Sequence, residues 1–126
     1  MKELYNSINA VRAEVSKVHK GGDNPFTNRG YATLNDCWDA IGTSLEDNGL
    51  CLVQTIDYEK KHPCLLTRLA HTETQQFIES ELPLIGATNM QQLGGAITYA
   101  RRYSLVTILG LLSGDDDGNT ATGRVN

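Results

Sequence analysis

The chain has no run of apolar residues near the roughly eighteen that cross a bilayer. Its start, Met1-Lys2-Glu3-Leu4-Tyr5, lacks the apolar core of a secretory signal. No membrane partner is expected, and the protein should stay in the cytoplasm. Its cysteines, Cys37, Cys51 and Cys64, are widely spaced and include no C-x-x-C pair. That excludes a zinc knuckle or a disulfide framework and leaves buried or half-buried reduced thiols as the expectation. There is no G-x-x-x-x-G-K-S/T segment, and neither Gly21-Gly22 nor Gly94-Gly95 is followed by the lysine of a phosphate loop, so ATP hydrolysis is not expected. His19, His62 and His71 lie far apart without an i+4 partner, and no serine sits in a G-x-S-x-G elbow. Metal-histidine and nucleophilic catalysis therefore have no support, and the expectation is a protein that is not an enzyme.

One more absence shapes the electrostatics: residues 30–59 contain neither lysine nor arginine and carry −6. Over its 126 residues the chain has a formal charge of −4, the wrong sign for an average nucleic-acid binder. The charge is segregated, however. Residues 60–72 carry +3 with no acid, 73–81 carry −3, and 82–104 carry +2. The basic blocks are Lys60-Lys61 with Arg68, and Arg101-Arg102, which permits a basic groove on an acidic body. The length fits one domain with a real core. Residues 1–112 are read as that domain and 113–126 as a polar acidic tail with too few apolar residues to fold alone.

Leu4, Ile8, Val11, Val15 and Val18 recur at spacings of four and three, which predicts an amphipathic helix over residues 2–18. Gly21-Gly22, Pro25 and Gly30 mark a loop. Asn35 or Thr33 can cap a second helix with Trp38, Ile41 and Leu45 on its buried face, stopped by Gly49. The period then changes. Residues 50–58 and 64–72 read as strands, and a third at 76–82 puts Ile78, Ser80 and Leu82 on one face and Phe77, Glu79 and Glu81 on the other. Their short links predict a three-stranded antiparallel meander. Asn89 can cap a final helix from Met90, with Met90, Leu93, Ile97, Ala100 and Ser104 on one side and Gln91, Gly95, Thr98 and Arg102 opposite. Beyond Tyr103 apolar residues point all round, so either the helix breaks or its end is buried on every side, against a neighbouring subunit for example. The fold class is α+β: two N-terminal helices, a three-stranded antiparallel meander and a packed helix.

Two segments could carry chemistry. Asp115-Asp116-Asp117-Gly118-Asn119 is a weak candidate metal site, of the kind a nuclease uses. The alternatives are an acidic turn, or a partner that holds Arg101 and Arg102. In Gly94-Gly95-Ala96-Ile97-Thr98-Tyr99-Ala100-Arg101-Arg102-Tyr103, two helical glycines cost about 1 kcal/mol each against alanine. Close approach of another backbone or a phosphate chain would compensate. Arginines beside tyrosines supply cations for phosphates and aromatic faces for bases. The alternative makes Tyr99 and Tyr103 core aromatics and the arginines members of surface ion pairs.

The tract from Gln92 to Leu105, followed by Leu109-Gly110-Leu111 and Asp115-Asp116-Asp117-Gly118-Asn119, strongly resembles the signature of the ERF superfamily of single-strand annealing proteins from phages and prophages. Tyr31-Ala32-Thr33-Leu34, Asn48-Gly49-Leu50 and the run Leu66-Thr67-Arg68-Leu69-Ala70-His71 also resemble that family. The resemblance implies a β-β-β-α core and ATP-independent annealing of complementary DNA strands in homologous recombination and repair, in the cytoplasm of a bacterial host. It implies single-stranded DNA as ligand, a ring or helical homo-oligomer, and a host or phage single-strand-binding protein as a further partner. No cofactor is required on this reading, and magnesium is admissible as an accessory ion. The expected DNA-binding residues are Lys60, Lys61, Arg68, Tyr99, Arg101, Arg102, Tyr103 and Arg29, contacting phosphates while base edges stay open for pairing. The alternatives are a metal-dependent nuclease using Asp115, Asp116 and Asp117, and a single-strand binder that does not anneal.

Overall fold

A computed structural model describes residues 1–20 and 34–111. Helix α1 (Lys2–Lys20) and helix α2 (Leu34–Asp47) precede strands β1 (Leu50–Asp57), β2 (Cys64–His71) and β3 (Phe77–Pro83), and helix α3 (Met90–Leu109) follows. The strands form one antiparallel sheet in the order β1-β2-β3, so the α+β class and the meander hold.

Helix α1 forms because its apolar residues repeat at helical spacing, and Leu4, Ile8, Val11 and Val15 are buried as that stripe requires. Its first turn is tied to the sheet by Gln76, whose side-chain carbonyl accepts the Leu4 N–H at 3.0 Å and whose amide donates to Glu3 at 2.7 Å. One otherwise unsatisfied N-terminal donor is thereby met. Helix α2 corrects one expectation: Cys37, not Trp38, shares the buried ridge with Ile41 and Leu45, and Trp38 packs half-buried at its margin. Asn35 lies inside this helix rather than capping it, and Thr33 lies outside the described residues. Gly49 ends the turn after α2 at φ 70°, in the left-handed region. Its carbonyl accepts from the Thr72 N–H at 2.9 Å, joining the helical layer to the end of β2.

Register assigns every strand residue to a face. Leu52, Leu69 and Ile78 are aligned on the inner face, as are Ile56, Leu65 and Leu82. Val53, Arg68 and Glu79 are aligned on the outer one, as the alternation in 76–82 predicted for β3. Strand β3 starts one residue later than expected, at Phe77, with the Gln76 carbonyl accepting the His71 N–H where the turn closes. Alternation also corrects the cysteine expectation: Cys37 and Cys64 are buried, while Cys51 faces out from β1 and is exposed.

All three helices serve the inner face. Leu50 and Leu69 join α1, α2 and the last turns of α3 in one cluster that includes Leu105, Val106 and Leu109. Leu65, Leu84 and Ala100 form a second, with Ile56, Leu93 and Ile97 packed against it. Helix α3 therefore does not break after Tyr103. It runs to Leu109, and Leu105, Val106 and Leu109 are buried against α1, α2 and the sheet of the same chain. Asn89 caps its start as expected, its side chain accepting the Gln92 N–H at 2.8 Å. Two members of the expected wheel change places: Met90 is 80% exposed and Arg102 only 7%. The first turn of α3 leaves Met90 in solvent, whereas Arg102, three turns on, is buried over the Tyr99 and Tyr103 rings.

Gly110 ends α3 at φ 70° with its N–H bonded to the Thr107 carbonyl at 3.0 Å. The Arg12 guanidinium of α1 lies against it, its Cζ 3.4 Å from where a Cβ would stand. A cation there also complements the negative end of a helix that has no basic residue in its last turn. Gly110→Ala is expected to cost roughly 1–2 kcal/mol through left-handed strain, read as a lowered thermal midpoint. The hydrogen bond from Gln76 holds the Glu3 carboxyl below the usual carboxylate range. A depressed carboxyl stabilises the fold above its unfolded pKa, and that contribution is lost as pH falls through the folded value. The stability deficit of Gln76→Leu should therefore be largest near neutrality and shrink on the acid side, in denaturant titrations across pH 7 to 3.

Candidate nucleic-acid interface on the final helix

Neighbouring residues on a helix point about 100° apart, so Arg101 and Arg102 serve different surroundings. Arg101 turns toward the sheet. Its Nε donates to the side-chain carbonyl of Gln54 at 3.3 Å, and the Gln54 amide donates to the Arg101 carbonyl and to Thr67 Oγ1, each at 3.1 Å. Arg102 turns away from the sheet and is buried. Its guanidinium carbon lies 5.0 Å from the Tyr99 ring centroid and 4.5 Å from that of Tyr103, and the two rings are 4.5 Å apart at 54°. A guanidinium over two aromatic faces, largely removed from water, is a favourable cation–π arrangement. Tyr99 is 60% exposed and Tyr103 half-buried, so neither starting alternative holds in full. Tyr99 is not a core aromatic, and Arg102 is not a surface cation.

The other basic block sits elsewhere. Lys60 and Lys61 occupy the exposed link between β1 and β2, where Lys60 forms an ion pair with Glu81 on β3. That hydrogen bond holds the Lys60 ammonium above its ordinary pKa. Arg68 lies on the outer face, bonded to Glu79 at 2.9 Å with its guanidinium 4.0 Å above the Phe77 ring. The sheet itself stands between Arg68 and α3, because Arg68 alternates with the inward Thr67 and Leu69. Lys60, Lys61, Arg68, Arg101 and Arg102 thus do not line one groove within a single chain. Tyr99, Arg102 and Tyr103 are brought together, with Arg101 adjoining them through the backbone. Arg29 and Asp115 to Asp117 lie outside the described residues, and with them the expected pairing of those acids with the arginines. Among the described residues no cluster of histidine, cysteine or carboxylate suited to a metal occurs, and no helix is long and apolar enough to cross a membrane.

Residues 4–126 match the model of the ERF superfamily. The chain belongs to the ERF superfamily. That family is associated with recombination and single-strand DNA annealing in general. No curated protein and no solved structure matches the chain. The segment that carried the resemblance in sequence is α3, and within this ERF chain α3 bears the exposed Tyr99 and both arginines.

Two features of the site were not read from sequence. The only local sign of Gln54 is that a glutamine among the alternate positions Leu50, Leu52 and Ile56 interrupts an otherwise apolar face. Phe77 was placed on the outer face but not recognised as the seat of Arg68. A third feature sharpens an expectation. Gly94 and Gly95 are exposed, and a Cβ built on either meets nothing within 4 Å. No close approach among the described residues of the chain offsets their helix cost. Gly95→Ala should therefore stabilise the fold, by up to about 1 kcal/mol, seen as a raised thermal midpoint; a lowered one would reveal crowding at this face.

Proposed function

We propose that this protein binds single-stranded DNA and anneals complementary strands without ATP, as a homo-oligomeric recombination factor of a phage or prophage. The observation that carries the reading is membership of the ERF superfamily across residues 4–126. The α3 surface supports it chemically: an exposed Tyr99 for stacking on bases, the part-buried Arg101 guanidinium for a phosphate, and an open helix face at Gly94-Gly95 where a backbone can approach. Neither phosphate contact nor stacking encodes sequence, so any complementary pair of strands would serve.

The net charge of −4 is compatible with this if many subunits act together. Weak sites repeated along one assembly raise effective concentration, so few cations per chain suffice. The exposed Lys60–Glu81 and Arg68–Glu79 pairs are of a kind worth little in water. Each cation could exchange its carboxylate for a phosphate at small cost. In this proposal Lys60, Lys61 and Arg68 serve a second stretch of the DNA path, reached from the outer face rather than from α3. Neither a cofactor nor a resident metal takes part, and a single-strand-binding protein would present the strands.

The test is annealing of labelled complementary oligonucleotides, with and without magnesium and without ATP. Wild-type protein should accelerate pairing well beyond the spontaneous rate. Arg101→Ala should reduce the acceleration severalfold while the far-UV spectrum is retained. It is a cleaner probe than a double substitution with Arg102, whose burial ties it to the fold. Tight binding with no acceleration would replace annealing by simple strand protection, and magnesium-dependent cleavage of the oligonucleotides would replace it by nuclease activity.

A further inference from the structure

The inner face of the sheet is apolar in most of its rows and polar in one. Gln54, Thr67 and Ser80 stand opposite one another across the three strands. On either side lie Leu52, Leu69 and Ile78, and Ile56, Leu65 and Leu82. This row falls between the two hydrophobic clusters. A polar row in that place is costly unless its groups are bonded, since a buried amide or hydroxyl without a partner loses its hydration for nothing. Thr67 is fully buried. Gln54 uses both of its donors and one carbonyl lone pair: its amide nitrogen donates twice and its carbonyl accepts once.

We infer that Gln54 is a positioning residue for Arg101, setting its guanidinium at the edge of α3 where it meets a DNA phosphate. This rests on the function proposed above. Two contacts do different work. The bond to the Arg101 carbonyl fixes α3 in rotation and along its axis, because that carbonyl lies in the middle of the helix. The bond from Arg101 Nε fixes the stem of the side chain. Among the described residues no hydrogen bond engages the two terminal nitrogens of Arg101, the fork that binds phosphate in two places. The amide cannot be reversed without setting two carbonyl oxygens together and an NH2 group against a cation. One orientation of Gln54 therefore selects one placement of Arg101, and the strand meets a cation already held in place rather than one it must order.

The experiment is a double-substitution cycle on full-length protein, using an oligodeoxythymidine strand as probe and measuring affinity across salt concentrations. Gln54→Leu keeps the volume and removes every hydrogen bond. It should weaken binding by a factor close to that of Arg101→Ala and flatten the slope of log affinity against log salt by about one. On the Arg101→Ala background it should weaken binding no further, although its effect on thermal stability persists. Gln54→Glu serves if the leucine variant does not fold: it still accepts from Arg101 Nε but neutralises the cation. It should weaken binding in the wild-type background and leave the Arg101→Ala protein unchanged. Multiplying losses in the cycle, or a Gln54 variant with wild-type affinity and slope while Arg101→Ala is impaired, would overturn the inference and leave the DNA reading standing. An Arg101→Ala protein that binds as tightly as wild type would overturn both.

Discussion

A sheet with one apolar face must have that face covered, and the fit between this inner face and α3 fixes how the domain is built. That fit combines two kinds of constraint. Leu93, Ile97 and Ala100 meet the Leu65 end of the sheet, and Leu105, Val106 and Leu109 belong to the Leu69 end. Apolar contacts of this kind are forgiving of small slides. The Gln54–Thr67 row between them is not, because moving α3 by one turn would set a bonded amide and hydroxyl against methyl groups. Burial supplies most of the stabilisation, and the polar row selects the register in which burial occurs.

The placement of the basic residues follows from that register. Once Arg101 faces the sheet, helical geometry turns Arg102 away from it and over the Tyr99 and Tyr103 rings, where it is buried. Its side chain is then as much part of the packing as of any binding surface. The same geometry frees the first turns of α3, leaving Met90, Gly94, Gly95 and Tyr99 exposed. The Gly49–Thr72 link and the Gln76 clamp on α1 hold the remaining helices against the opposite end of the sheet. Among the described residues one end of the sheet is thereby closed, and the start of α3 leaves an exposed helix face.

Charge is distributed by strand alternation rather than by sequence blocks. Arg68 and Glu79 are eleven residues apart and lie side by side, and Lys60 meets Glu81 across the sheet. The basic stretch 60–72 and the acidic stretch 73–81 largely cancel because the meander folds one onto the other. This is why a strip of +3 in the sequence gives no continuous basic strip in the structure.

What the sequence determined by itself were the quantities that depend on local periodicity. The α1 stripe of Leu4, Ile8, Val11 and Val15, the alternation of β3, the Asn89 cap and the order of elements were all legible, because each rests on neighbours a few residues away. The family, too, was legible, in the tract from Gln92 to Leu105. Periodicity put Trp38 on the core face of α2 where the structure puts Cys37, since both lie near the same side of the helix and only the partner surface distinguishes them. It also misplaced Arg102 and Met90, for a wheel assigns sides to a helix but not how far along it the other helices reach. The end of α3 looked like a break or a subunit contact until the packing showed α1 and α2 covering it. Gln54 became meaningful only when the sheet carried it to Arg101, forty-seven residues on. Tertiary structure decided that pairing, because a hydrogen bond between distant residues leaves no local trace in either of them.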